Sequence, residues 1–176
     1  MDQEKRKQIL YLVGMPGSGK STLGKSLADL LGFPLIDIDT EIEKKEGLPI
    51  TEIFSEKGEQ YFREIEKEVL YSIDQSPAIV ATGGGAPCFF DNMQFINANG
   101  TSIWLKVAPK ALAERVLVKE GSRPLLKDLK GKGLIEELTK KLESRKGFYQ
   151  QAHIHYDPIS QSISDLETQI THIMNL

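Results

Sequence analysis

Short apolar stretches alternate along the chain with longer stretches in which apolar residues recur every three or four positions. The first four apolar stretches are near-continuous, as in strands that are buried on both faces of a sheet. The apolar stretches predict strands at Ile9–Val13, Leu35–Ile38, Ala78–Ala81, Ser102–Val107 and Ile154–Tyr156. The helical spacing predicts helices at Ser21–Leu31, Phe62–Ile73, Ala111–Val118, Leu134–Tyr149 and Leu166–Ile173.

This alternation predicts an α/β fold. Successive strand–helix–strand units with right-handed crossovers build a parallel sheet, here of five strands, with helices on both faces. Ligands bind such sheets beyond the carboxyl ends of the strands, so the candidate site is expected there. With 176 residues and no linker or internal repeat, the chain is expected to form one domain, since domains average about 150 residues.

Composition narrows the class of partner. With 22 basic against 25 acidic residues the formal net charge is −3, which disfavours nucleic acid or an anionic membrane as partner. The single cysteine, Cys88, cannot form an intramolecular disulfide, and the apolar run Ile9–Val13 is too short for a signal peptide or a membrane span. We therefore expect a cytoplasmic protein that binds a small molecule. Its expected state is a monomer.

The clearest chemical motif is Gly14–Thr22, GMPGSGKST, which follows a predicted strand and opens a predicted helix. It fits the phosphate-binding loop G-x-x-x-x-G-K-[ST], in which backbone N–H groups and the helix dipole hold phosphate oxygens. Lys20 is expected to bridge the β and γ phosphates of ATP, and the hydroxyl of Ser21 to bind Mg²⁺. The residues predicted to bind the nucleotide are Gly17, Ser18, Gly19, Lys20, Ser21 and Thr22.

Two carboxylates follow the second predicted strand. Asp37 and Asp39 are two residues apart, so in an extended segment their side chains share one face. One could orient metal-bound water while the other accepts a hydrogen bond from a substrate hydroxyl. The alternative is that Asp39 only caps a helix that starts at Thr40.

Further candidates are a glycine run and two arginines. Gly83–Gly85 follows the third strand and would expose backbone N–H groups to a ligand, although a plain flexible turn is the alternative. Arg63 has Glu66 three residues on, either as an orienting partner or as a solvated surface ion pair. Arg145 suits a carboxylate or phosphate ligand but is ambiguous on the residues alone.

The loop Lys119–Gly133 is a candidate lid. It holds five basic and two acidic residues, a local charge of +3 in a chain of net charge −3. Arg123 could reach the transferring phosphate when such a loop closes, whereas a solvated basic loop is the alternative. The three histidines, His153, His155 and His172, lack any metal-ligand spacing and are expected to be structural.

Together these segments resemble the shikimate kinase family, in order along nearly the whole chain. The resemblance rests on Gly14–Thr22, Asp37-Ile-Asp39, Gly58-Glu-Gln-Tyr-Phe-Arg63 with Glu66, Gly83–Gly85, Arg123-Pro-Leu-Leu126 and Ser144–Tyr149. The chain departs from the family pattern at Gly147, where Pro is more common, and at His153, where Asp is.

The resemblance implies a fold like that of nucleoside monophosphate kinases, a three-layer sandwich with substrate-binding helices at about 39–73 and a lid at about 119–131. It implies ATP- and Mg²⁺-dependent phosphorylation of the 3-hydroxyl of shikimate, in the route to chorismate and the aromatic amino acids. Gluconate kinase, a nucleoside monophosphate kinase and a nucleotide-dependent regulatory module without turnover are the alternatives.

The resemblance also implies roles for individual residues. Asp39, Lys20 and Arg123 would be catalytic, with Asp39 on the acceptor hydroxyl and Arg123 on the phosphates. Arg63 and Arg145 would bind the shikimate carboxylate, and the backbone of Gly83, Gly84 and Gly85 would complete that pocket. Asp37 would lie in the outer shell of Mg²⁺ that Ser21 binds. Arg115 is the nearest candidate for adenine contact.

Overall fold

The computed structural model describes residues 8–118 and 131–175. The strands are β1 (Ile9–Val13), β2 (Leu35–Asp37), β3 (Ala78–Ala81), β4 (Thr101–Leu105) and β5 (Ile154–Tyr156). The α-helices are α1 (Lys20–Leu31), α2 (Ile38–Glu46), α3 (Ile50–Tyr71), α4 (Asn92–Asn99), α5 (Pro109–Val118), α6 (Lys132–Tyr149) and α7 (Ile163–Met174). A short 3₁₀ helix, Ala86–Cys88, follows β3.

The strands form one parallel sheet in the order β2-β3-β1-β4-β5. This confirms the α/β class and the five parallel strands predicted from the apolar stretches. The order places β1 in the centre, between β3 and β4, and places β2 and β5 at the edges. The edge strands are the short ones, with three residues each.

Both faces of the sheet are covered by helices, as the near-continuous apolar strands predicted. Alternate residues of β1 point to opposite faces, and all five are fully buried. Ile9, Tyr11 and Val13 belong to a core shared mainly with α2 to α6. Leu10 and Leu12 belong to a second core shared with α1 and α7. The sheet is thus the middle of three layers.

The region between β2 and β3 differs from the prediction. β2 ends at Asp37, α2 begins at once at Ile38, and α3 begins at Ile50, twelve residues before the predicted start. Apolar periodicity missed α2 because most of its nine residues are polar and only Ile38 and Ile42 are buried. A break at Gly58, with φ 81° and ψ 171°, separates the two halves of α3 and hides the first half from a periodicity search.

Among the described residues, no helix combines the length and apolar character needed to cross a bilayer. The predicted lid at about 119–131, apart from its last residue, lies outside the described residues, as does Arg123. The loops that follow β1, β2 and β3 all leave the carboxyl edge of the sheet, since the three strands are adjacent and parallel. That edge carries the candidate site.

Candidate active site

The loop between β1 and α1 has the backbone conformation expected of a phosphate-binding loop. Gly14, Gly17 and Gly19 have φ values of 145°, 82° and 100°, which residues with a side chain rarely adopt. Lys20, the first residue of α1, donates from its buried Nζ to the backbone oxygens of Gly14 at 2.9 Å and Met15 at 3.0 Å. The loop therefore wraps around the Lys20 side chain, and the backbone N–H groups of the loop lie at the start of α1.

Asp37 lies at the junction of β2 and α2 and joins that junction to the phosphate loop. Its Oδ1 accepts hydrogen bonds from the backbone N–H groups of Asp39 at 3.1 Å and Thr40 at 3.3 Å. Its Oδ2 accepts from Ser21 Oγ at 3.0 Å. Asp37 is therefore the N-cap of α2, and its second oxygen holds the hydroxyl that the motif assigns to metal binding.

This arrangement corrects two expectations about Asp37 and Asp39. The helix cap is Asp37 and not Asp39, because the backbone of Asp37 is extended and its carboxylate reaches the N–H groups two and three residues ahead. The two residues do not share the face of one extended segment, since Asp39 already lies in the first turn of α2. The capping alternative for Asp39 is wrong, and the Asp39 carboxylate turns towards the glycine run.

Ser21 and Asp37 fit a magnesium ion chemically. A hydroxyl and a carboxylate, both hard oxygen donors, lie 3.0 Å apart beside the phosphate loop. Mg²⁺ takes few protein ligands and completes its shell with water and phosphate oxygens. The residues predicted for the metal are thus brought together.

Gly83–Gly85 is the point at which the elements of the site meet. A side chain at Gly83 would meet Glu66 Oε1 at 2.5 Å and Asp39 Oδ1 at 3.2 Å. At Gly84 it would meet the ring of Pro16 in the phosphate loop at 2.5 Å, and at Gly85 the guanidinium of Arg63 at 2.7 Å. The glycines are therefore required by close packing, and a plain flexible turn does not account for them.

Arg63 is buried on α3 and is held by two carboxylates. Its Nη1 donates to Glu66 Oε2 at 2.8 Å, and its Nη2 and Nε donate to Glu59 Oε1 at 3.1 and 3.3 Å. The guanidinium also lies over the ring of Phe89, 4.2 Å from its centroid. The pair with Glu66 is buried, so the alternative of a solvated surface pair is wrong. Sequence reasoning missed Glu59 and Phe89 as its other contacts.

Glu66 is a buried carboxyl group at the site, and its pKa is shifted upward. Burial raises its pKa to about 7, the charge of Arg63 opposes that rise, and the nearby carboxylate of Asp39 adds to it. Its Oε1 is buried against Gly83 and has no hydrogen-bond partner among the described residues. Near neutral pH this carboxyl group therefore exists in both protonation states.

Helix α6 contributes Tyr149 and Arg145. The Tyr149 hydroxyl donates to the backbone oxygen of Gly84 at 2.6 Å, and burial raises its pKa, so it stays protonated at neutral pH. Arg145, one turn earlier, has a buried Nη1 without a hydrogen-bond partner among the described residues. Tyr149 is also a fully buried core residue, and its spacing of four from Arg145 puts both side chains on the same face of α6.

Two arginines were expected near the nucleotide. Arg115 on α5 donates from Nη1 to the backbone oxygen of Ser18 at 2.7 Å, so it lies against the phosphate loop. Whether it contacts adenine stays a prediction. Arg123 lies outside the described residues, and its predicted role stays a prediction as well.

Other side chains have contacts that fit a structural role, although Cys88 lies close to Arg145 and Tyr149. His153 Nδ1 accepts from the backbone N–H of Ser102 at 3.1 Å, near the amino end of β4. Burial raises the pKa of the Cys88 thiol to about 11, which argues against a nucleophilic role. Phe54 and Phe62 pack together with ring centroids 4.5 Å apart.

Comparison with known proteins agrees with the sequence motifs. The model of the family described as shikimate kinase matches residues 16–175. The chain belongs to the shikimate kinase family. A shikimate kinase from Parabacteroides distasonis is 44% identical over 149 residues, which are 84% of this chain and 86% of the relative.

Solved shikimate kinases share the fold over almost the whole chain. The crystal structure of the enzyme from Bacteroides thetaiotaomicron superposes with a TM-score of 0.85 at 34% identity, covering 96% of this chain and 98% of the other. The enzyme from Acinetobacter baumannii, solved in complex with shikimate, gives a TM-score of 0.83 at 32% identity, with coverage of 97% and 94%. The predicted family and its P-loop kinase fold are thereby confirmed.

Proposed function

We propose that this protein transfers the γ-phosphoryl group of ATP to the 3-hydroxyl of shikimate, giving shikimate 3-phosphate and ADP. Membership of the family supports the reaction. The observation that supports it most directly is the packing of Asp39, Glu66 and Arg63 around Gly83–Gly85, directly beside the phosphate loop. This packing supports a pocket in which a carboxylate binds the acceptor hydroxyl and a guanidinium binds the acceptor carboxylate, beside the loop that would hold the nucleotide.

Asp39 orients the acceptor hydroxyl and accepts its proton. In the transfer, the hydroxyl oxygen bonds to the γ-phosphorus, the bond from that phosphorus to the β-phosphate oxygen breaks, and ADP leaves. Phosphoryl transfer is loose, so the proton leaves late and Asp39 acts mainly by position. Its place beside Gly83 and at the first turn of α2 fixes that position.

Arg63 and Arg145 bind the acceptor carboxylate. Arg63 is already oriented by Glu66 and Glu59, and Arg145 has a buried N–H group without a partner among the described residues. A neutral acceptor would leave such donors unpaired, which costs free energy, so the pocket selects an acid. Backbone groups of Gly83–Gly85 complete the pocket.

Lys20 and the backbone of residues 17–22 would hold the phosphates. Ser21 would bind Mg²⁺ and Asp37 would lie in its outer shell, and the ion would neutralise charge on the phosphates. Arg123 acts on the phosphates from the lid at about 119–131, and Arg115 lies towards the nucleotide. We further propose one domain that acts in the cytoplasm as a monomer, with shikimate as its small-molecule partner.

The test is ADP release by the purified protein with Mg-ATP and one acceptor at a time: shikimate, quinate, gluconate, CMP, AMP or none. Turnover with shikimate alone is expected. Turnover with gluconate or a nucleotide would assign the pocket to a different kinase. ATP binding without turnover on every acceptor would favour a regulatory module.

A further inference from the structure

A groove of about 390 Å³ lies between α6 and the segment that follows Gly85. Among the described residues that line it, Lys140, Lys141 and Arg145 are basic and Glu137 is acidic, and all four lie on α6. The remaining lining residues are Cys88, Phe89, Ser144 and Phe148. Because Phe89 also stacks on Arg63, the groove adjoins the carboxylate-binding end of the proposed acceptor pocket.

Lys141 and Arg145 lie four residues apart on α6, so their side chains occupy the same face of the helix one turn apart. Like charges at this spacing destabilise a helix unless something neutralises them. Lys141 is half-buried, and burial together with the charges of Arg145 and Arg63 lowers its pKa, while Glu137 and Glu59 oppose this. Lys140, Lys141 and Arg145 thus bring three positive charges to the groove.

The side chain of Lys141 makes no polar contact that would hold the described part of the fold together. The backbone oxygen of Lys141 accepts a hydrogen bond from Ser144 Oγ at 2.8 Å, but neither a hydrogen bond nor an ion pair joins its side chain to another described residue, although Glu137 and Glu59 are near enough to affect its charge. Other exposed lysines in the described segments, such as Lys44 and Lys57, do form ion pairs. A half-buried cation placed among like charges is unfavourable in the empty protein and becomes favourable when an anion enters.

We propose that Lys141 is a specificity-determining residue for the acceptor, acting with Arg145 to select a substrate that carries a carboxylate. This inference rests on the proposed function. Arg63 and Arg145 supply planar guanidinium groups that can hydrogen-bond both carboxylate oxygens, whereas Lys141 supplies a compact point charge at the mouth of the pocket. Lys141 thus attracts the acid and offsets its loss of water without fixing its orientation.

The test compares two acceptors in two enzymes. The wild-type protein and Lys141→Met are assayed with shikimate and with its methyl ester, which keeps the hydroxyls and removes the negative charge. The variant is expected to lower kcat/KM for shikimate by about tenfold, through KM and with kcat unchanged, since one charge interaction in a half-buried site is lost. Turnover of the ester is expected to be the same in both.

Two further variants separate charge from structure. Lys141→Arg retains the charge and is expected to recover most of the lost kcat/KM. Lys146→Met removes a half-buried lysine from the same helix outside the groove and is expected to leave KM for shikimate unchanged. The slope of kcat/KM against ionic strength is expected to be shallower in Lys141→Met than in the wild type.

Each result has one meaning. An equal loss of kcat/KM with shikimate and with the ester would show that Lys141 supports the fold, and would overturn the inference. Unchanged KM for shikimate in Lys141→Met would overturn it as well, with the proposed function intact. A wild-type protein that neither binds nor phosphorylates shikimate would overturn the proposed function, and this inference with it.

Discussion

The pKa of Glu66 makes the stability of the empty protein depend on pH in a way that one substitution removes. The pKa of Glu66 is about 7 in the folded protein and 4.5 for an unperturbed side chain. Between these two pH values the folded protein holds a proton that the unfolded chain has lost. Stability from this group is full below about pH 4.5 and is lost as pH rises through about 7. The sign is opposite to that of an ordinary paired carboxylate.

The size of the effect follows from the shift. Each pKa unit corresponds to about 1.4 kcal/mol, so the shift of Glu66 is equivalent to about 3 kcal/mol in the free energy of unfolding. Glu66 is almost fully buried, so solvent does not screen this contribution. Glu66→Gln keeps the shape and an oxygen that can accept from Arg63, but it cannot ionise.

The assay is urea unfolding of the ligand-free protein between about pH 5 and about pH 8.5, at constant ionic strength. Trp104 is the single tryptophan, is buried on β4 and reports unfolding by fluorescence. As pH rises across this range, the free energy of unfolding of Glu66→Gln is expected to increase by about 3 kcal/mol relative to that of the wild type. The reason is that only the wild type must ionise a buried carboxyl group.

Glu59→Gln is the matched control, since Glu59 contacts the same guanidinium but is more than half exposed. The difference in free energy of unfolding between Glu59→Gln and the wild type is expected to vary by less than about 1 kcal/mol over the same pH range. If the free energies of unfolding of the wild type and of Glu66→Gln changed in parallel with pH, the pKa of Glu66 would not be raised in the folded protein. A Glu66→Gln protein that loses stability relative to the wild type as pH rises would show that the pair with Arg63 outweighs burial.

Four further substitutions test the packing and the chemistry of the protein. Gly84→Ala would place a methyl group 2.5 Å from the ring of Pro16, so a loss of about 1–3 kcal/mol in unfolding free energy is expected, measured by urea unfolding. A methyl group at Gly147 on α6 would have no atom within 4 Å, so Gly147→Ala is expected to raise the free energy of unfolding by up to about 1 kcal/mol. Asp39→Asn is expected to lower kcat by about 10²–10⁴-fold with little change in KM for shikimate. Arg145→Ala is expected to raise that KM by about 10–100-fold with a smaller effect on kcat. Equal, small effects on kcat and KM in the last two variants would contradict the assigned roles.

The parts of the fold that the sequence predicted are those in which burial dictates residue type. β1 is apolar at every position because it lies in the centre of the sheet with helices on both faces. Helix α2 was missed because a helix that buries only two residues has little apolar periodicity. The first half of α3 was missed because Gly58 interrupts the helical pattern.

In the site, too, some parts could be predicted from the sequence and others could not. The phosphate loop was predictable because its glycines and its lysine are demanded by a conformation that is local in sequence. The contacts of Gly83–Gly85 with Pro16, Glu66 and Arg63 join three separate segments and leave no local pattern. The same holds for the bond from Tyr149 to Gly84, and for the choice of Asp37 over Asp39 as the cap of α2.

The most direct test of the central claim is the structure of the reaction product. Wild-type protein is incubated with Mg-ATP and shikimate, and the product is examined by phosphorus and proton NMR. We expect one phosphate ester whose phosphorus couples to the ring proton at carbon 3, formed in equal amount with ADP. A phosphate on another hydroxyl, or ADP formed without any phosphate ester, would contradict it.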